Sequence, residues 1–232
     1  MKYHACHATH ANYRLCVCLF VIFAPYHTSH FDQYWLQPIL FYDIIMVNID
    51  RDTGQLWEDI MICCVTGHRS VGFPFSRDSA TKPYQRYIQA LEDEIVSLVN
   101  QGYTHFITGM AEGADLDFAQ AVILQQDKHS FIELEAAYPY PPQPAKEWTE
   151  YQERREWINE RVKLKCVVSD HYYRGCMQKR NRYMVDKADI VLAIWNGKQS
   201  GGTWNTIKYA QSKNKPIKYI MLNDFHGNLQ NT

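Results

Sequence analysis

No stretch of this chain is apolar for long enough to cross a bilayer. The run Leu15 to Ala24 (LCVCLFVIFA) falls well short of the roughly 20 residues that a spanning helix needs. Lys2 and Arg14 precede it, as in a secretory signal, yet no small-x-small cleavage site follows. The chain also lacks an excess of charge of either sign. It has 24 Lys and Arg against 25 Asp and Glu, a net charge of -1. That balance argues against a nucleic-acid or membrane surface, although a local basic patch remains compatible with it. A disulfide framework is missing too. The seven cysteines are odd in number and scattered, and Cys63 and Cys64 are adjacent in an apolar segment. This usage suits a reduced, cytoplasmic protein. Cys6, His7, His10, Cys16 and Cys18 match no zinc-site spacing, so no metal is expected. There is no internal repeat and no low-complexity segment.

What is present is enough apolar material for a sizeable core, with 46% hydrophobic and 14% aromatic residues. The length suits one α/β domain with an appendage, or two small domains. Residues 1–60 stand apart. Five of the ten histidines fall in the first thirty positions, and no helical or strand period runs through the segment. It reads as a leader or accessory segment, with the main domain over 61–224 and a short tail over 225–232.

The main domain is organised around Tyr103 to Gln120 (YTHFITGMAEGADLDFAQ). Thr104 to Thr108 has the β-branched and aromatic content of a buried strand, and Gly109 to Gly113 is a tight turn. From Ala114 to Gln126, Leu116, Ala119, Val122 and Ile123 follow a helical spacing. A helix that starts straight after such a turn leaves backbone N–H groups free for an anion. Around this centre, strands are expected at 61–66, 131–137, 166–169, 190–195 and 216–221. Helices are expected at 84–100, 148–165, 177–187 and 200–212. Pro139, Pro141 and Pro142 open a loop. The alternation predicts an α/β, Rossmann-like, doubly wound and mostly parallel sheet with helices on both faces. Ligands of such sheets lie at the carboxyl ends of the strands.

Several segments should meet at that edge. Gly67-His68-Arg69 follows the first strand, and Gly109 to Asp115 follows the second. Ser200-Gly201-Gly202-Thr203 opens the last helix with glycine N–H groups and a hydroxyl. Lys179-Arg180-Asn181-Arg182 precedes the most apolar strand. A basic run is usually a solvated face, but an asparagine between arginines also suits ribose or base hydrogen bonding and phosphate pairing.

TGHR at 66–69, ITGMAEGAD at 107–115, Tyr138-Pro139 with the later Trp148, RNRYMVD at 180–186 and SGGTWNT at 200–206 occur in that order. Together they resemble the YpsA-like branch of the SLOG superfamily over Met61 to Asn223. The resemblance implies a Rossmann-like fold and a nucleotide or nucleotide-derived ligand. Among the relatives it brings are LOG phosphoribohydrolases and DNA-processing protein A. Carried over by motif, Gly67, Arg69, Gly109, Gly113, Asp115, Arg180, Asn181, Gly201, Gly202 and Thr203 line the ligand site. His68, Met110 and Ser200 join them as candidates within the same motifs.

The chain departs from the hydrolase branch at one point. That branch follows its P-G-G-x-G-T motif with a catalytic glutamate, whereas SGGT here leads into Trp204, Asn205 and Thr206. Glycosidic cleavage needs a carboxylate to stabilise an oxocarbenium-like state. Glu112 or Asp115, with Arg180, are the candidates for that role. The leading expectation is therefore a module that binds or senses an ADP-ribose- or NAD-like ligand. An N-glycosidase comes second, and a single-strand DNA binder third, disfavoured by the net charge of -1 because strand binding normally uses a basic groove. Beyond the small nucleotide ligand, no membrane partner is expected. Homo-oligomerisation is left open.

Overall fold

The structure is a computed structural model and describes residues 47–49, 56–58, 60–141 and 149–225. The expected leader run Leu15 to Ala24, the cysteine–histidine group near the amino terminus and Trp148 lie outside these residues. Two compact units are present, Met1–Asp59 and Ile60–Thr232. In the first, β1 (Val47–Ile49) and β2 (Leu56–Glu58) pair antiparallel, with Asn48 opposite Trp57.

The second unit alternates strand and helix. In order come β3 (Met61–Gly67), α1 (Lys82–Asn100), β4 (Tyr103–Thr108), α2 (Ala114–Gln126), β5 (Glu133–Tyr138) and α3 (Glu150–Arg161). Then follow β6 (Leu164–Val167), α4 (Cys176–Lys187), β7 (Ile190–Trp195), α5 (Gly201–Ser212) and β8 (Ile217–Met221). The six strands β3 to β8 form one sheet in the order β6-β5-β4-β3-β7-β8, and every pairing is parallel. From β3 the chain steps outward through β4 and β5 to β6. It then crosses back by α4 to the other side of β3. The order therefore reverses between β3 and β7, and their carboxyl ends flank a crevice.

Both faces of the sheet are covered, which is why its strands read as continuous apolar runs. On one face Cys63, Val65, Phe106, Leu134 and Leu192 pack under α1, α2 and α3, where Tyr87, Leu91, Phe118, Val122 and Ile158 are buried. On the other, Cys64, Ile107, Ala137 and Val191 pack against Met184 and Val185 of α4 and Ala210 of α5. Adjacent residues serve opposite faces, as the two-residue period of a strand requires.

α2 is buried on nearly every side. Asp117 in its first turn has essentially no exposure, and its carboxylate accepts from Arg77 at 2.6 Å, Arg154 at 2.7 Å, Tyr84 at 3.1 Å and Tyr87 at 3.2 Å. These partners come from the loop before α1, from α1 and from α3. One carboxylate thus ties three helices together.

The boundary between α3 and β6 differs from the sequence expectation. The helix stops at Arg161 rather than running to 165, and Val162 is already extended. The strand starts at Leu164, with Leu164 opposite Glu135 and Lys165 opposite Ala136. Lys163 and Lys165 favour helix by intrinsic preference, but pairing along the sheet edge decides the conformation.

Candidate functional site

Gly67, the last residue of β3, sits at the centre of the crevice. A Cβ there would collide with that of Ala114 and lie 3.1 Å from that of Ile194. Glycine at 67 thus lets α2 and β7 close on β3. The hydroxyl of Thr203, in the first turn of α5, donates to the Gly67 carbonyl at 2.9 Å. Thr203 is buried and engaged inside the fold.

The turn after β4 is packed from both sides. A side chain on Gly109 would collide with the Arg180 guanidinium, which lies across it. Met110 is buried and left-handed, with φ 55°, and its carbonyl accepts from the Tyr151 hydroxyl at 3.4 Å. Gly113 has φ +100°, and a Cβ there would meet the His68 carbonyl oxygen at 2.5 Å and the Arg69 Cα at 2.8 Å. The first N–H of α2, that of Ala114, donates to the same His68 carbonyl at 3.0 Å. Asp115 and Asp117 place negative charge in the first turn, where the helix dipole favours it. The start of α2 is answered from within the protein.

The start of α5 is open. Ser200 occupies the cap position without a side-chain hydrogen bond, and the first turn holds no acidic residue. Ser200, Gly201 and Gly202 are exposed. A Cβ on either glycine would meet nothing within 4 Å among the described residues. A twelve-residue helix therefore presents its positive end to solvent.

Arg180 belongs to the basic run on α4, yet it points inward while Lys179 and Arg182 are exposed. It is 6% exposed. Its Nη1 lies 3.7 Å from Asp115 Oδ2, too far for a hydrogen bond. Neither Nε nor Nη1 has a hydrogen-bond partner among the described residues. Burial lowers the guanidinium pKa, Asp115 opposes that, and the nearby Arg69 adds to it. Burial raises the Asp115 carboxyl, against the pull of Arg180, the Ala111 N–H and Arg69. A buried donor left unsatisfied costs about 1–3 kcal/mol, and more when charged. Such a group favours an anion that can approach it.

The remaining candidates divide. Asn181 donates to the Thr206 hydroxyl at 2.8 Å, so it ties α4 to α5. Arg69 is exposed on the loop after β3. His68 is half-buried, with its Nε2 unpartnered among the described residues, and burial lowers its pKa despite a hydrogen bond with Asn196. Its ring is neutral near pH 7. Glu112 does not join Asp115: it lines a groove of about 920 Å³ with Tyr84, Asp117 and Arg154, among α1, α2 and α3. Two further groups escaped the sequence reading. Tyr151 reaches the Gly109–Gly113 turn from a different helix, and Arg77 and Arg154 converge on Asp117 from 40 and 37 residues away in sequence. No local pattern signals either.

The parallel sheet, helices on both faces and a crevice at the strand-order reversal define a Rossmann-like doubly wound fold. The chain belongs to the YspA SLOG family, which it matches over residues 63–225. It is similar to the uncharacterized SPbeta prophage-derived protein YoqJ of Bacillus subtilis (strain 168), at 29% identity over 52% of this chain and 80% of that protein. It is also similar to a UPF0398 protein of Bacillus pumilus (strain SAFR-032), at 25% identity over 73% of this chain and 92% of that protein. These likenesses establish the family and leave the activity to the site itself. Among the described residues no helix is long and apolar enough to cross a membrane.

Proposed function

We propose that this protein binds a nucleotide-derived ligand of the ADP-ribose or NAD kind, with its phosphate between Arg180 and the start of α5. One observation carries the reading: a buried guanidinium whose Nε and Nη1 lack partners among the described residues, on a helix tied by Asn181 to Thr206 of α5, the helix whose start has no side-chain cap. The helix dipole and the cationic groups Arg180 and Arg69 then act on the same anion. Asp115, acceptor-only when ionised, suits ribose hydroxyls.

A second reading has its own support. Burial raises the Asp115 carboxyl pKa beside Arg180, the condition that lets a carboxylic acid deliver a proton. On that reading the protein is an N-glycosidase, with Asp115 in the place of the glutamate missing from SGGTWNT.

Calorimetric titration with ADP-ribose, NAD and AMP tests the binding reading. Saturable binding that Arg180→Ala weakens by about 1.5–3 kcal/mol supports it. Equal binding by wild type and variant overturns it. Release of free base from AMP, abolished by Asp115→Asn, would favour the enzyme.

A further inference from the structure

The carboxyl edge carries a second feature that the phosphate reading does not use. The loop from Val168 to Gly175, between β6 and α4, exposes two aromatic rings, Tyr172 at 66% and Tyr173 at 39%. Tyr172 meets Tyr140, just beyond β5, edge to face with centroids 5.5 Å apart. Ser169, at the start of the same loop, has a buried hydroxyl without a partner among the described residues. This loop is fastened to the helix that carries Arg180, because the Cys176 N–H donates to the Tyr173 carbonyl at 3.1 Å.

The sheet order sets the spacing. Arg180 lies over Gly109, at the end of β4, and Tyr172 follows β6, two strands further out. Two strand spacings are about 10 Å. Tyr151, whose hydroxyl donates to the Met110 carbonyl, lies beside the turn that Arg180 covers. Arg180 and the tyrosines thus stand at the same carboxyl edge of the sheet, at strands about two spacings apart. Exposed aromatic faces lower the free energy of a nucleobase by stacking, and they do so without needing a particular base.

We infer that Tyr172, supported by Tyr140, forms a stacking subsite for the base of a nucleotide whose phosphate is held at Arg180. This rests on the phosphate reading above and adds the chemical class of the ligand's other end: a nucleobase rather than a bare sugar phosphate. Tyr172 is the residue that separates the two.

AMP and ribose 5-phosphate differ only in the base, so the pair isolates the subsite. Both are titrated by calorimetry into the full chain and into Tyr172→Ala and Tyr172→Phe. The expected result is that wild type binds AMP more tightly than ribose 5-phosphate. Tyr172→Ala should weaken AMP about tenfold, the scale of base–aromatic stacking, and leave ribose 5-phosphate within about twofold. Tyr172→Phe, which keeps the ring, should bind AMP like wild type. If wild type binds ribose 5-phosphate as tightly as AMP, or if Tyr172→Ala changes both ligands equally or neither, the subsite is overturned while the phosphate site stands. If wild type binds neither compound, the phosphate reading falls and the subsite falls with it.

Discussion

The turns that open α2 and α5 look alike in sequence, each glycine-bearing at the start of a helix, yet they are physically opposite. At Gly113 the glycine makes room for protein: its left-handed backbone packs under His68 and Arg69, and the first N–H of α2 goes to the His68 carbonyl. At Gly201 and Gly202 no described residue would meet an added Cβ within 4 Å, on a helix with neither a side-chain cap nor acidic residues in its first turn. A glycine before a helix is thus not in itself an anion site. A helix end offers one only when it lacks internal partners, and of these two turns the start of α5 is the one left without a side-chain cap or first-turn acid.

The sharpest way to break this comparison is a valine at each turn. Gly113→Val should destabilise the fold by about 4 kcal/mol, adding left-handed strain to a backbone collision. Urea unfolding measures it, and a wild-type midpoint would show that the turn is not closed. The companion Gly202→Val should fold normally and lose phosphate binding.

Asp117 tests the other support of the closed turn. Asp117→Asn leaves Arg77 and Arg154 without their anion, at a cost of about 3–4 kcal/mol. The same urea midpoint reports it. Phosphate affinity of the folded fraction should be kept.

α4 is held in place by Glu135, which accepts from Tyr183 and Lys187, both at 2.6 Å, with His105 Nε2 at 2.8 Å. Burial pushes the carboxyl up, but the hydrogen bonds from His105, Lys187 and Tyr183 outweigh it and bring it down to about 2. A depressed carboxylate stabilises the fold above its unfolded value near 4.5, and that contribution is lost as pH falls towards 2. Glu135→Gln should therefore cost about 2–3 kcal/mol at pH 7. It should also flatten the fall in stability between those two pH values. Thermal melts across that range would show an unchanged acid limb if Glu135 were idle.

Arg180 separates ligand binding from stability. Arg180→Met removes a buried charge without a hydrogen bond at Nε or Nη1 among the described residues, but also the counter-charge 3.7 Å from the buried Asp115, so stability should fall by about 1–3 kcal/mol. Phosphate binding should weaken by about 2 kcal/mol. A large loss of stability with binding intact would make Arg180 a structural residue. The smallest effect is expected at Lys213, an exposed residue 3.7 Å from Asp186. Lys213→Ala should leave stability and binding within about 0.5 kcal/mol of wild type.

The alternation of strand and helix was legible in the residue pattern, because strands covered on both faces carry continuous apolar runs, as Met61–Val65 and Ile190–Trp195 do. The sequence also placed every candidate motif at a strand end or on α4, since local periodicity and glycine position are local properties. Which candidates are engaged within the fold and which stay open became visible in the packing alone. Asp115 and Glu112, three residues apart, face different surroundings. Thr203 and Asn181 are occupied by Gly67 and Thr206. In a basic run of near-identical charge, Arg180 alone turns inward. The physical reason is the same in each case. A hydrogen bond or an empty space depends on residues distant in sequence, and no local pattern records whether a buried donor has found its partner.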